Sequence, residues 1–157
     1  GMNILVLFDS MYGNTELVAR KIAEALDMPE SVRLLKAGEA GLDDLQGVDL
    51  LIVGSATQAF RPLPGMTGFL NRIPAGGLKG VRVAAFDTRV DVKEVNSGFL
   101  TFMVNLFGYA AEKIAKSLQK KGGEPALPVE GFFVVDKEGP LKEGELERAA
   151  GWIKGLL

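Results

Sequence analysis

Short apolar runs alternate with amphipathic segments along the whole chain. The runs at 3–8, 48–54, 81–86 and 131–135 are rich in Val, Ile, Leu and Phe and are bounded by Gly or Asp. Unbroken apolarity over so few residues predicts strands buried on both faces. Near 31–35, Val32 and Leu34 alternate with charged neighbours, as in an edge strand. Helical periodicity fills the intervals. Residues 14–27 space Val18, Ile22 and Leu26 four apart, and a short helix falls near 41–46. The segment 66–73 carries Met66, Phe69, Leu70 and Ile73, and 108–121 aligns Ala111, Ile114, Ala115 and Leu118. The last helix, 142–156, uses Leu146, Ala150 and Ile153, with Glu143, Glu145 and Glu147 suited to its positive end. Five strands, each followed by a helix, predict an α/β fold: a doubly wound five-stranded parallel sheet of order 2-1-3-4-5. One domain over 2–157 accounts for the chain, and Gly1 ahead of Met2 reads as an expression remnant.

In such a sheet ligands sit beyond the carboxyl ends of the strands, where the strand order reverses, here between strands 1 and 3. The loop there is Ser10-Met11-Tyr12-Gly13-Asn14-Thr15. It opens a helix, so it offers unpaired backbone N–H groups and the positive end of a helix dipole. Ser10, Thr15 and Tyr12 add hydroxyls, Gly13 lets the backbone turn, and the loop holds no Lys or Arg. These features describe a site for a phosphate monoester held by neutral donors. Asp9 would repel an anion if aimed inward, so it is expected to point away or to cap a turn. After strand 3, Gly54, Ser55, Ala56, Thr57, Gln58 and Ala59 are small or polar, Phe60 is an aromatic on a loop, and Pro62 and Pro64 stiffen the exit. After strand 4 come Asp87, Thr88, Arg89 and Val90. The turn Asp136-Lys137-Glu138-Gly139-Pro140 after strand 5 reads as plain. Three unusual strand ends side by side fit a ligand with a phosphate at one end and a flat ring at the other.

Composition narrows the chemistry. A formal net charge of −2 with no basic stripe gives no case for nucleic acid. No apolar stretch nears the roughly 20 residues of a membrane span, and no signal or lipidation motif is visible, which points to the cytoplasm. The chain has no Cys and no His, which removes thiol and imidazole catalysis, so any redox step would need a bound cofactor. A phosphorylated receiver domain, which shares the architecture, needs an acceptor Asp at the end of strand 3, where Gly54-Ser55 stands.

The first loop, ending in Gly13-Asn14-Thr15, resembles the Ser/Thr-rich phosphate loop of flavodoxins. Gly54-Ser55-Ala56-Thr57 is similar to the family's second flavin-binding loop, and Gly139-Pro140-Leu141 before Glu145-Leu146-Glu147 to the start of its last helix. The resemblance covers essentially the whole chain, in the short form without an insertion in strand 5. It implies FMN as cofactor, with Ser10, Met11, Tyr12, Gly13, Asn14 and Thr15 around the phosphate. Ala56, Thr57, Gln58, Ala59 and Phe60 would pass one side of the ring, and Asp87, Thr88, Arg89 and Val90 the other. It also implies an electron carrier serving redox partner proteins, rather than a substrate-specific enzyme. An FMN-dependent NAD(P)H oxidoreductase and an interaction module that has lost FMN stay open as alternatives.

Three departures from the family pattern stand out. No aromatic lies in 87–95 to stack on the ring, which predicts weaker flavin binding. Arg61 and Arg89 would favour an anionic reduced flavin and make its potential less negative. The apolar segment Phe99–Phe107 could lid the flavin, dock a partner or form a homodimer face.

Overall fold

Alternate residues of the central strands face opposite sides of one sheet, and helices cover both sides. The computed structural model describes residues 2–95 and 97–156. The first half of the chain forms β1 (Ile4–Asp9), α1 (Asn14–Leu26), β2 (Val32–Lys36), β3 (Leu50–Gln58), β4 (Arg61–Pro62) and α2 (Pro64–Arg72). The second half forms β5 (Arg82–Val90), α3 (Val92–Val95), α4 (Gly98–Phe107), α5 (Ala110–Lys120), β6 (Glu124–Pro125), β7 (Glu130–Val134) and α6 (Glu145–Lys154). Parallel pairing gives the order β2-β1-β3-β5, and β6 and β7 share the fifth position beside β5. This is the doubly wound five-stranded sheet of order 2-1-3-4-5 that the hydrophobic pattern predicts.

Leu5 and Leu7 of β1 pack with Leu51, Val53, Val83 and Ala85 under α2 and α5. Ile4, Val6 and Phe8 pack with Leu50, Ile52, Ala84 and Phe86 under α1 and α6. The two-residue period thus divides each strand between two cores. Gly54 belongs to this packing and not to ligand approach, because a Cβ there would lie 2.0 Å from the Phe86 ring.

The structure corrects several boundaries. β3 and β5 each run four residues past their predicted ends, so Ser55–Gln58 and Asp87–Val90 are strand and not loop. Their backbone ladders continue in register through Ala56 and Thr88. The segment near 41–46 is a 3-10 turn at Leu42–Leu45. The fifth strand is two pieces because Pro125 and Pro128 have no N–H to keep a ladder going. Trp152 Nε1 donates to Pro128 O at 3.0 Å and fixes the break against α6.

Glu145 joins β7 to α6. Its carboxylate accepts from the Phe133 N–H at 2.7 Å and from Arg148 Nε and Nη2 at 2.9 and 2.7 Å. Burial opposes its ionisation, but the hydrogen bonds from Arg148 and Phe133 outweigh that and hold the carboxyl below its usual range. A carboxyl depressed by folding adds stability above its unfolded pKa and loses it as pH falls through the folded value. Urea midpoints of the native protein and Glu145→Gln are therefore expected to differ most at neutral pH and to converge in acid. A gap that does not change with pH would contradict this.

Candidate functional site

At the carboxyl end of the sheet, β1, β3, β5 and β7 surround a cavity of about 80 Å³. The β1–α1 turn gives it Ser10, Met11, Tyr12, Asn14 and Thr15. From β3 come Ala56 and Thr57, and from β5 come Thr88, Arg89 and Val90. Helix α1 begins after Gly13, whose φ of 93° is a left-handed conformation that glycine adopts without strain. No side chain caps the helix start. Its first N–H groups lack intrahelical acceptors and are open to an anion. Ser10 Oγ accepts from the Gly13 N–H at 3.0 Å, which closes the turn and leaves the hydroxyl proton free to donate.

Thr15 and Thr88 are both buried, with their hydroxyl oxygens 2.7 Å apart. One hydroxyl donates to the other, so one O–H remains for a ligand. Asp9 turns away from the cavity, with its carboxylate beside Gly65 and the Met66 backbone at the start of α2. Burial pushes its pKa up, and those backbone contacts pull it back.

The sequence reading passed over two lining residues, Val134 and Lys137. The turn after strand 5 is not plain. Asn14 Nδ2 donates to Glu138 O at 3.2 Å, which draws the turn against the first turn of α1 and sets Lys137 at the cavity. The signal for Lys137 was its place two to three residues past a strand end on the ligand side of the sheet.

Five of the predicted residues do not line the cavity. Gly13 contributes backbone only. Gln58, Ala59 and Phe60 lie on the β3–β4 hairpin, whose two turn residues, Ala59 and Phe60, both have positive φ, 49° and 66°. That is the hairpin-turn pattern normally given to Asn and Gly, and here it aims Phe60 at Phe107, with ring centroids 5.8 Å apart. Asp87 sits behind the wall, fully buried. It accepts from Arg89 Nε and Nη2, both at 2.7 Å, and from the Ala111 N–H at 2.9 Å. Burial pushes the Asp87 carboxyl up, while Arg89 and the Ala111 N–H pull it down.

The Arg89 guanidinium also lies over the Tyr109 ring, 3.6 Å from its centroid. Gly131 makes room for it, because a Cβ there would fall 2.2 Å from the guanidinium carbon. The charge of Arg89 is balanced by Asp87, and Arg61 lies on a separate surface beside Pro62, Thr67 and Lys113. The expectation of a less negative potential therefore loses its basis in those two arginines. The cation left at the cavity is Lys137, for whose ammonium no ion pair is found among the described residues.

The donor set fits a phosphate monoester: open helix N–H groups, Ser10 and threonine hydroxyls, and one ammonium. The cavity is far smaller than the roughly 300–1,000 Å³ of pockets that enclose a whole organic ligand. Its size suits a phosphate group rather than a whole organic ligand, and Ala56 and Val90 are among its lining residues.

A family model described as Flavodoxin matches residues 6–152. The fold is similar to a solved flavodoxin from the domain Archaea, with a TM-score of 0.76 and 21% identity, covering 99% of this chain and 96% of that one. It is also similar to the Streptococcus pneumoniae TIGR4 flavodoxin, with a TM-score of 0.73 and 20% identity over 98% and 96% of the two chains. Flavodoxin 2 from Bacillus cereus gives 0.72 and 21% over 98% and 97%. A match spanning nearly the whole sequence shows that this chain belongs to the flavodoxin family.

Proposed function

We propose that the chain binds FMN at the β1–α1 turn and carries electrons between redox partner proteins. The cavity itself carries this reading: an uncapped helix start, the Thr15–Thr88 hydroxyl pair and Lys137 converge at the point where the strand order reverses. FMN, when bound, supplies the electron chemistry, since the sequence has no Cys or His to do so. The chain's own residues bind and orient. The helix start and hydroxyls hold the phosphate, Ala56, Thr57 and Val90 border the ring, and the Asp87–Arg89 pair stiffens the wall behind it. With no lining aromatic beyond Tyr12, ring stacking contributes less than phosphate binding does. No helix among the described residues is long and apolar enough to cross a membrane, which agrees with partners met in solution.

The test of carrier function uses protein reconstituted with FMN. Chemically reduced protein is expected to reoxidise on mixing with a one-electron acceptor protein, and NADH or NADPH alone should leave the flavin yellow. Bleaching by NADPH without a partner would instead support the reductase reading, and a protein that takes up no FMN would support the interaction-module reading.

Lys137 gives a smaller prediction. Lys137→Gln is expected to weaken FMN binding about fivefold at low salt, as for one partly exposed ion pair. Riboflavin, which lacks the phosphate, should bind both proteins alike. Equal losses for the two flavins would place Lys137 away from the phosphate.

A further inference from the structure

The cations of this chain are not spread evenly over its surface. Residues 61–81 hold Arg61, Arg72 and Lys79 and no acid, and residues 109–123 hold four lysines and only Glu112. The sequence shows no basic stripe because these segments lie far apart in it, and folding joins them by packing α2 against α5. On α5, Lys113, Lys116 and Lys120 recur at i, i+3 and i+7, so they share one side of the helix. Arg61 stands beside Lys113, with Pro62, Thr67, Leu70 and Ser117 lining the groove between them. Lys121 ties the far end of the face together by donating to Ile73 O.

None of these cations takes part in an ion pair among the described residues, although the whole chain is net negative. The Glu112 carboxylate lies beside Gly108, at the start of α5. Burial, and after it the Arg61 charge, push the Lys113 ammonium below its usual pKa. Like charges held this close are costly, and an anion set against them relieves the cost. The face begins at the cavity wall. Pro62 of β4 pairs with Thr57, which lines the cavity, and the Thr57 hydroxyl accepts from the Ala110 N–H at 3.2 Å where α5 starts. Arg61 and Lys113 are therefore the end of the face nearest the site.

We propose that the face formed by β4, α2 and α5 docks the acidic surface of a redox partner protein, with Arg61 and Lys113 at the end closest to the flavin. This rests on the carrier reading of the site. Charge chooses the occupant, because the acidic remainder of the chain turns a locally acidic partner until it meets this face. A nucleic acid carries its charge along its whole length and would be repelled by that remainder. A lipid surface needs apolar side chains to enter it, and Phe69 and Leu70 of this face are buried. A second copy would set this face against its own acidic remainder, a head-to-tail contact that does not close.

The test uses cytochrome c and cytochrome c with succinylated lysines, which carry the same haem on a basic and an acidic surface. Each ferric haem takes one electron from the FMN-loaded, chemically reduced protein, and stopped flow reads the rate. At low salt the succinylated form is expected to react about tenfold faster than at about 0.5 M salt. Arg61→Glu with Lys116→Glu should remove most of that gain, and Arg61→Lys with Lys116→Arg should keep it. Amide NMR of the flavin-free chain should show the succinylated form shifting resonances in 61–72 and 113–121. A rate that rises with salt, or that the double Glu variant leaves unchanged, overturns the proposal. So do shifts confined to other faces, and tighter binding of a DNA duplex, phosphatidylserine vesicles or a second copy at this one. If the chain takes up no FMN but these amides shift, the carrier reading falls and the face for an acidic partner stands.

Discussion

Asp87→Ala is expected to destabilise the flavin-free protein by about 3 kcal/mol or more, lowering the thermal midpoint by roughly 10 °C. Asp87 is fully buried and receives two hydrogen bonds from Arg89 and one from the Ala111 N–H. Truncation leaves a guanidinium with its anion gone, in a place closed on one side by Tyr109 and on another by Gly131. It also strips an acceptor from the first turn of α5, which has no side-chain cap of its own residue. The pair is costly to break and not correspondingly valuable to have, because burying both charges has already cost most of their attraction. The double variant Asp87→Leu with Arg89→Met should therefore recover most of the lost stability. If Asp87→Ala melts within a degree or two of the native protein, or the double variant is the worse of the two, the buried pair does not organise this wall. Differential scanning calorimetry of the three proteins decides.

Thr15→Ala is expected to weaken FMN binding about tenfold to a hundredfold, the value of one hydrogen bond to a charged group. The Thr15 hydroxyl lies at the first turn of α1, 2.7 Å from Thr88 Oγ1, and the two together offer one free O–H. With Thr88 donating to Thr15 and Thr15 to the phosphate, removing the Thr15 hydroxyl takes away the ligand's donor and leaves Thr88 without its buried partner, so a modest loss of stability should accompany the loss of affinity. Thr15→Ser keeps the hydroxyl and should bind nearly as the native protein does. Riboflavin should scarcely distinguish the three. A Thr15→Ala titration that superimposes on the native one would remove Thr15 from the phosphate site.

The sheet and the β1–α1 turn were legible because burial imposes patterns that a sequence cannot hide. Ile4–Phe8 can only be a strand covered on both sides, and Ser10 to Thr15 can only leave it by a turn. The far ends of β3 and β5 were not legible. Thr57, Gln58, Thr88 and Arg89 have loop-like polarity, and they are strand because neighbouring backbones offer them a ladder, which is a tertiary cause. The hairpin turn at Ala59-Phe60 escaped for a related reason. Neither residue signals positive φ, and the turn is held from outside, by Ser55 Oγ on Leu63 N and by Lys113 on Phe60 O. The Asp87–Arg89 pair left a readable trace, since residues two apart on a strand share a face. Lys137 left only its place just past a strand end, and a charge on a turn reads as solvated until Asn14 is seen to draw that turn over α1.

The central claim is that the turn leaving β1 grips a phosphate, and flavin titration tests it most directly. Flavin-free protein is titrated with FMN and, separately, with riboflavin, following flavin fluorescence. The account predicts saturation at one FMN per chain, with riboflavin bound at least about tenfold more weakly, since only FMN carries the group the cavity is built for. No change with FMN, or equal affinity for the two flavins, would contradict it.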